Sequence, residues 1–159
     1  HLGHGFSIPT CVLRPRSRGT VRLASPDAQA APLIDPGFLS HPDDLQTLLR
    51  AYRATAALLR TQALGPHAGR PLHPEPALGD DAAIERFMRE RADTIYHPVG
   101  TCRMGSDDDA VLDPQLRVRG VRGLHVIDAS VMPTLVGGNT NAPTLMIAEK
   151  AADLLRRAP

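Results

Sequence analysis

Tryptophan is absent from these 159 residues, and two Tyr and three Phe make up all the aromatics. That scarcity leaves little material for an aromatic cage around a quaternary ammonium group. Cysteine is nearly as rare. Cys11 and Cys102 leave one disulfide open, but two distant thiols in a domain of this size fit a reduced, cytoplasmic protein better. No apolar run approaches the ~20 residues needed to span a bilayer, and nothing resembles a signal peptide. A net charge of +1 lacks the concentrated basic excess of a nucleic-acid-binding domain. The seven His are too scattered for a metal-ligand cluster. An initiating Met is missing too: the chain opens HLGHGF and reads as an excised or truncated piece.

What is present suits a soluble α+β domain, long enough to bury roughly 70% of its unfolded surface. Residues 6–13 (FSIPTCVL) and 19–24 (GTVRLA) read as two strands, rich in β-branched side chains and separated by a polar turn. A short extended piece is expected at Leu33 and Ile34. Ser40 is a plausible N-cap for a helix with Pro42, Asp43 and Asp44 in its first turn and Leu45, Leu48, Leu49, Tyr52, Ala56 and Leu59 at helical spacing. Gly65-Pro66 should end it. Residues 65–79 carry four prolines and three glycines, so no regular structure is expected there. A second helix should start near Asp80 and bury Ile84, Phe87 and Met88. Short strands are expected at Leu116–Val118 and at Leu124–Asp128, and a last helix over 143–157 with Leu145, Ile147, Ala148, Ala151, Leu154 and Leu155 as apolar positions.

Two stretches stand apart from this scaffold. In YHPVGTCRMG (96–105), Pro98 forces His97 into extended backbone and Gly100 permits a tight reversal just beyond it. The imidazole is thereby presented from a stiff, irregular segment, as a positioned base would be; a His that merely sits in a turn is the plainer alternative. In GGNTNAP (137–143), two glycines lead to Asn139, Thr140 and Asn141 at the approach to a helix whose first turn holds Pro143. One of these residues is accounted for as a helix cap. Two asparagines beside two glycines are not, and a helix N-terminus also attracts anionic ligands. Just upstream, LHVIDAS ends in Asp128, at the carboxyl end of an expected strand, where α/β sheets place their ligands.

YHPVGTCRMG, VRGLHVIDASVMP and GGNTNAPTLMIAEKAADLL, in that order, closely resemble the C-terminal end of the glucose–methanol–choline (GMC) family of FAD-dependent alcohol oxidoreductases, and best its choline-dehydrogenase-like branch. LRPRSRGTVRLASPD and APLIDPGFLSHPDDLQTLL resemble that family's substrate-domain strands and helix. The resemblance implies an α+β fold: an antiparallel-sheet substrate domain plus the last strand and helix of a Rossmann-like FAD domain. It further implies that residues 1–96 belong to the substrate-binding domain and 97–159 to a C-terminal segment carrying the catalytic pair.

For individual residues the resemblance implies the following. His97 is the base that takes the hydroxyl proton as an alcohol gives up hydride to FAD, a task suited to imidazole, whose ordinary pKa is near ~6.5. Asn139 is its partner at the substrate oxygen, an amide able to donate to a developing alkoxide without titrating; Asn141 is the other candidate. Asp128 and Ala129 correspond to contacts with the ribityl–diphosphate part of FAD, and Thr140, Asn141, Ala142 and Pro143 to the flavin's pyrimidine edge, where the helix N-terminus favours negative charge. Cys102 and the acidic turn Asp107–Asp109 are expected to be structural. No G-x-G-x-x-G occurs anywhere in the chain, so the cradle for the FAD diphosphate is missing. The expected activity, oxidation of an alcohol to an aldehyde, therefore requires the N-terminal FAD-binding half in cis or in trans. A non-catalytic binding or assembly module is the alternative.

Overall fold

The computed structural model of the chain describes residues 4–67, 69–72 and 75–157. Among these the order is β1 (Thr20–Arg22), β2 (Leu33–Asp35), α1 (Pro42–Leu59), α2 (Asp81–Arg91) and α3 (Asn141–Arg157), with short 3-10 turns at Gly65–His67 and Ala129–Val131. The mixed helix-and-antiparallel-sheet class is the expected one. The chain divides into two compact units, His1–Gly19 with Pro36–Asp93 and Thr20–Asp35 with Thr94–Pro159.

The first unit is built on α1 and α2. Pro42 occupies the first helical position and holds His41 in extended backbone, so His41, not Ser40, is the cap; its Nδ1 accepts the Asp43 N–H at 3.2 Å. The helix also ends earlier than Gly65 would dictate. Arg60 and Thr61 both donate backbone N–H groups into the last turn, and Thr61 Oγ1 donates to the Leu58 carbonyl at 2.8 Å. These bonds use up the carbonyls that would propagate the helix. Gly65-Pro66 instead opens a short 3-10 turn.

Helix α2 starts where expected, its Asp80 cap accepting the Ala83 N–H at 2.9 Å. Leu45 and Leu49 of α1 pack with Ile84 and Met88 of α2 as the core of this unit. Phe87 is only half-buried and meets Tyr52 edge-on, with ring centroids 6.0 Å apart.

The second unit contains the one regular ladder among the described residues. Strands β1 and β2 pair antiparallel, with Val21 opposite Ile34. The strand expected at 6–13 does not form: the described residues 4–19 are irregular. Pro9 lacks a ladder donor, and β1 takes its partner from 33–35 instead. Leu116–Val118 and Leu124–Asp128, expected as strands, form isolated antiparallel bridges instead, Arg117 with His125 and Val118 with Leu112. Val118 N–H to Leu124 O at 2.9 Å and Val126 N–H to Leu116 O at 3.2 Å close the first of these. Gly120 and Gly123, both at positive φ, make the reversal between them.

Leu112, Leu116, Val131 and Ala151 form the core of the second unit. Full burial of Leu112 contributes about 2 kcal/mol. Helix α3 begins at Asn141, two residues ahead of expectation, and turns Ile147 and Ala151 toward this core. Leu145, Leu154 and Leu155, expected as apolar packing positions, are exposed. No helix among the described residues is long and apolar enough to cross a membrane.

Candidate active site

The segment from Tyr96 to Gly105 is held by backbone bonds that follow from its composition. Pro98 excludes helix for His97. Gly100 adopts φ +90°, and a Cβ there would lie 3.3 Å from the Met132 carbonyl oxygen. Beyond that reversal, Cys102 N–H donates to Ser130 O at 3.1 Å and Met104 N–H to Val131 O at 2.9 Å. The strip thus runs along the Ala129–Val131 turn, while Gly105 and Arg103 exchange bonds with Leu112. Cys102 sits partly buried against the second core as a free thiol.

Tyr96, directly before His97, has φ +63°, an uncommon conformation for a bulky residue and one that stores strain. Its N–H donates to Thr94 Oγ1 at 3.0 Å, and its side chain is 79% exposed. His97 is therefore fixed on one side by a left-handed residue and on the other by a proline.

Across a separation of more than forty residues, the GGNTN loop meets this imidazole at both ring nitrogens. Thr140 Oγ1 lies 2.9 Å from His97 Nδ1, and Asn139 Nδ2 lies 3.3 Å from His97 Nε2. Thr140 is 8% exposed, whereas Asn139 is open to solvent and His97 is half-buried. The Thr140 carbonyl accepts Thr144 N–H at 3.0 Å and Thr144 Oγ1 at 2.7 Å, anchoring the loop to α3.

Other expected site residues flank this pair. Asn141 and Ala142 are exposed at the amino end of α3, with Pro143 half-buried behind them. First-turn N–H groups have no partner within their own helix. Asp128 is exposed, and its Oδ1 accepts the Ser130 N–H at 2.7 Å, capping the turn that Ala129 begins. Gly138 does not adopt positive φ and has open space where a Cβ would stand, so it is no steric necessity. Nearby, the Arg103 guanidinium holds the Asp107 carboxyl well below the usual carboxylate range through paired bonds at 2.6 and 2.9 Å. The acidic turn Asp107–Asp109 is exposed.

Pro98, Gly100 and the paired asparagines signalled this site in the sequence. The contact of Thr140 with His97 carried no such signal, nor did the strained backbone of Tyr96, a residue type with no preference for positive φ.

Residues 15–148 match the C-terminal GMC oxidoreductase family model, and the chain belongs to the GMC oxidoreductase family. It is 47% identical over 156 residues to the alcohol dehydrogenase [acceptor] of Pseudomonas putida, covering 98% of this chain and 28% of that protein. Its identity to oxygen-dependent choline dehydrogenase 1 of Chromohalobacter salexigens is 46% over 155 residues, covering 96% and 28%. The structure superposes on an Aspergillus oryzae formate oxidase, solved in a study of FAD modification, with a TM-score of 0.86 and 28% identity, over 95% of this chain and 28% of that one. The chain thus spans little more than a quarter of the length of the curated relatives it matches.

Proposed function

We propose that this chain supplies the catalytic base and part of the flavin site of an FAD-dependent enzyme that oxidises an alcohol to an aldehyde. The observation that carries the reading is the approach of Asn139 Nδ2 to His97 Nε2, which creates a proton acceptor and an amide donor side by side on an open face. An alcohol oxygen placed between them would lose its proton to Nε2 while the amide stabilises the negative charge left behind. Asn139 is the amide within reach here; Asn141, two residues on, is the competing donor.

FAD, when bound, supplies the hydride acceptor, so that loss of a proton from oxygen and of a hydride from carbon leaves a carbonyl. The residues present fit one edge of that cofactor. Thr140, Asn141, Ala142 and Pro143 form the amino end of α3, whose first-turn N–H groups, at Asn141 and Ala142, suit the negative charge of a reduced ring. Asp128, which is exposed, and the half-buried Ala129 beside it suit the ribityl–diphosphate portion. With no glycine-rich cradle in the chain, the rest of the FAD site comes from a flavin-binding half in cis or in trans. In this reading residues 1–96 belong to the substrate-binding domain and 97–159 to the catalytic segment. Free thiols at Cys11 and Cys102 suit a reducing compartment such as the cytoplasm.

The test is His97→Ala in the complete flavoprotein. A fall in alcohol-oxidation rate of about 10²–10⁴-fold, with flavin still bound, is expected on loss of a general base. An unchanged rate would sink the role of His97.

A further inference from the structure

We infer that Thr140 is a positioning residue that sets the tautomer and orientation of His97, leaving Nε2 as the proton-accepting nitrogen. The inference rests on the reading of His97 as the base. An amide nitrogen can only donate, so Asn139 Nδ2 facing Nε2 requires a lone pair on that nitrogen. In a neutral imidazole the single ring proton then sits on Nδ1, directed at Thr140 Oγ1, 2.9 Å away. Thr140 is the acceptor of this bond. Its burial shields the Nδ1 side from competing water, while Asn139 and the Nε2 side face solvent.

The helix that follows offers this hydroxyl fewer competing donors than usual. A threonine one residue before a helix ordinarily accepts the N–H of the second or third helical residue. In α3 the third residue is Pro143, which has no N–H to offer, so Ala142 is the one such donor left. Helices α1 and α2 show the ordinary arrangement, each with its cap side chain accepting a backbone N–H. Thr140 still begins α3 through its carbonyl, bonded to Thr144, but turns its hydroxyl to the imidazole. Tyr96 and Pro98 constrain the His97 backbone, so the remaining freedom is ring rotation, and this bond opposes it.

The test compares Thr140→Val, which keeps the shape, with Thr140→Ser, which keeps the hydroxyl, in the complete flavoprotein. Val should lower kcat by about 10²-fold, the cost of a misplaced reacting group, with KM and flavin content changed little. Ser should restore most of the rate. Nitrogen NMR of the ¹⁵N-His-labelled protein reads the tautomer directly. In the parent protein His97 should carry its proton on Nδ1 with a pyridine-type Nε2, and in Thr140→Val the tautomers should mix. Parental kcat and tautomer in Thr140→Val, or a proton on Nε2 in the parent protein, would overturn the inference. If Thr140→Val does not fold, Thr140→Ala gives the same readings and the parental spectrum decides. Failure of the base assignment is separate, since His97→Ala would then retain its rate.

Discussion

The carboxylate of Asp44, in the first turn of α1, receives the backbone N–H of Arg16 at both its oxygens, at 2.9 and 3.0 Å. Ser17 adds a second N–H at 2.7 Å, so one buried side chain ties an otherwise irregular segment to the helix. Burial by itself raises the pKa of this group. The hydrogen bonds from Arg16 and Ser17, together with the charge of His41, outweigh burial, and the net shift is downward from the ordinary 3.8.

A carboxyl whose folded pKa is lowered stabilises the fold above its unfolded pKa, and the contribution is lost as pH falls through the folded value. Asp44→Asn should therefore cost about 1–3 kcal/mol at neutral pH. It would appear as a lower midpoint in thermal or urea unfolding of the first unit's helices. The gap to the parent protein should persist down to about pH 4 and close on further acidification. Equal midpoints at pH 7 would show that the clamp contributes nothing.

Gly100 is the second place where one side chain should matter. Its positive φ and the Met132 carbonyl 3.3 Å from a would-be Cβ both oppose any substitution. Gly100→Ala should destabilise by about 1–3 kcal/mol. Because the same reversal carries His97, the oxidation rate should fall as well. Melting temperature and kcat measured together check this, and an unchanged pair would mean that the turn relaxes freely.

The two asparagines of the NTN stretch can be separated by kinetics. If Asn139 is the donor to the substrate oxygen, Asn139→Ala should lower kcat by about 10²–10³-fold, the usual loss for one such donor. Asn141→Ala should then stay within a few-fold and act mainly on flavin affinity. The reverse order would transfer the donor role to Asn141.

The helices were legible because their signals are local. Leu45, Leu49, Ile84 and Met88 repeat at helical spacing and do form a core. Asp80 caps α2 as its position suggests. Starts and ends were less legible: the shift from Ser40 to His41 follows from the reach of Pro42 onto its neighbour. Strands were the least legible, since a strand exists only with a partner and FSIPTCVL contains no information about who would pair with it. At the site, the sequence announced the stiff His97 segment and the asparagine loop. That Thr140 would meet Nδ1 depends on a fold-level approach over many residues, which no local pattern encodes.

The β1–β2 ladder is three residues long on each side and has no interior strand. Every residue in it is solvent-exposed, including Val21, Leu33 and Ile34. Each strand keeps one flank that the ladder does not use, the arrangement that recruits a further strand by backbone pairing. A ladder of this kind is a seed that another strand can extend. Pairing with a strand from elsewhere would complete a sheet, whereas pairing with a second copy of the chain would be self-association.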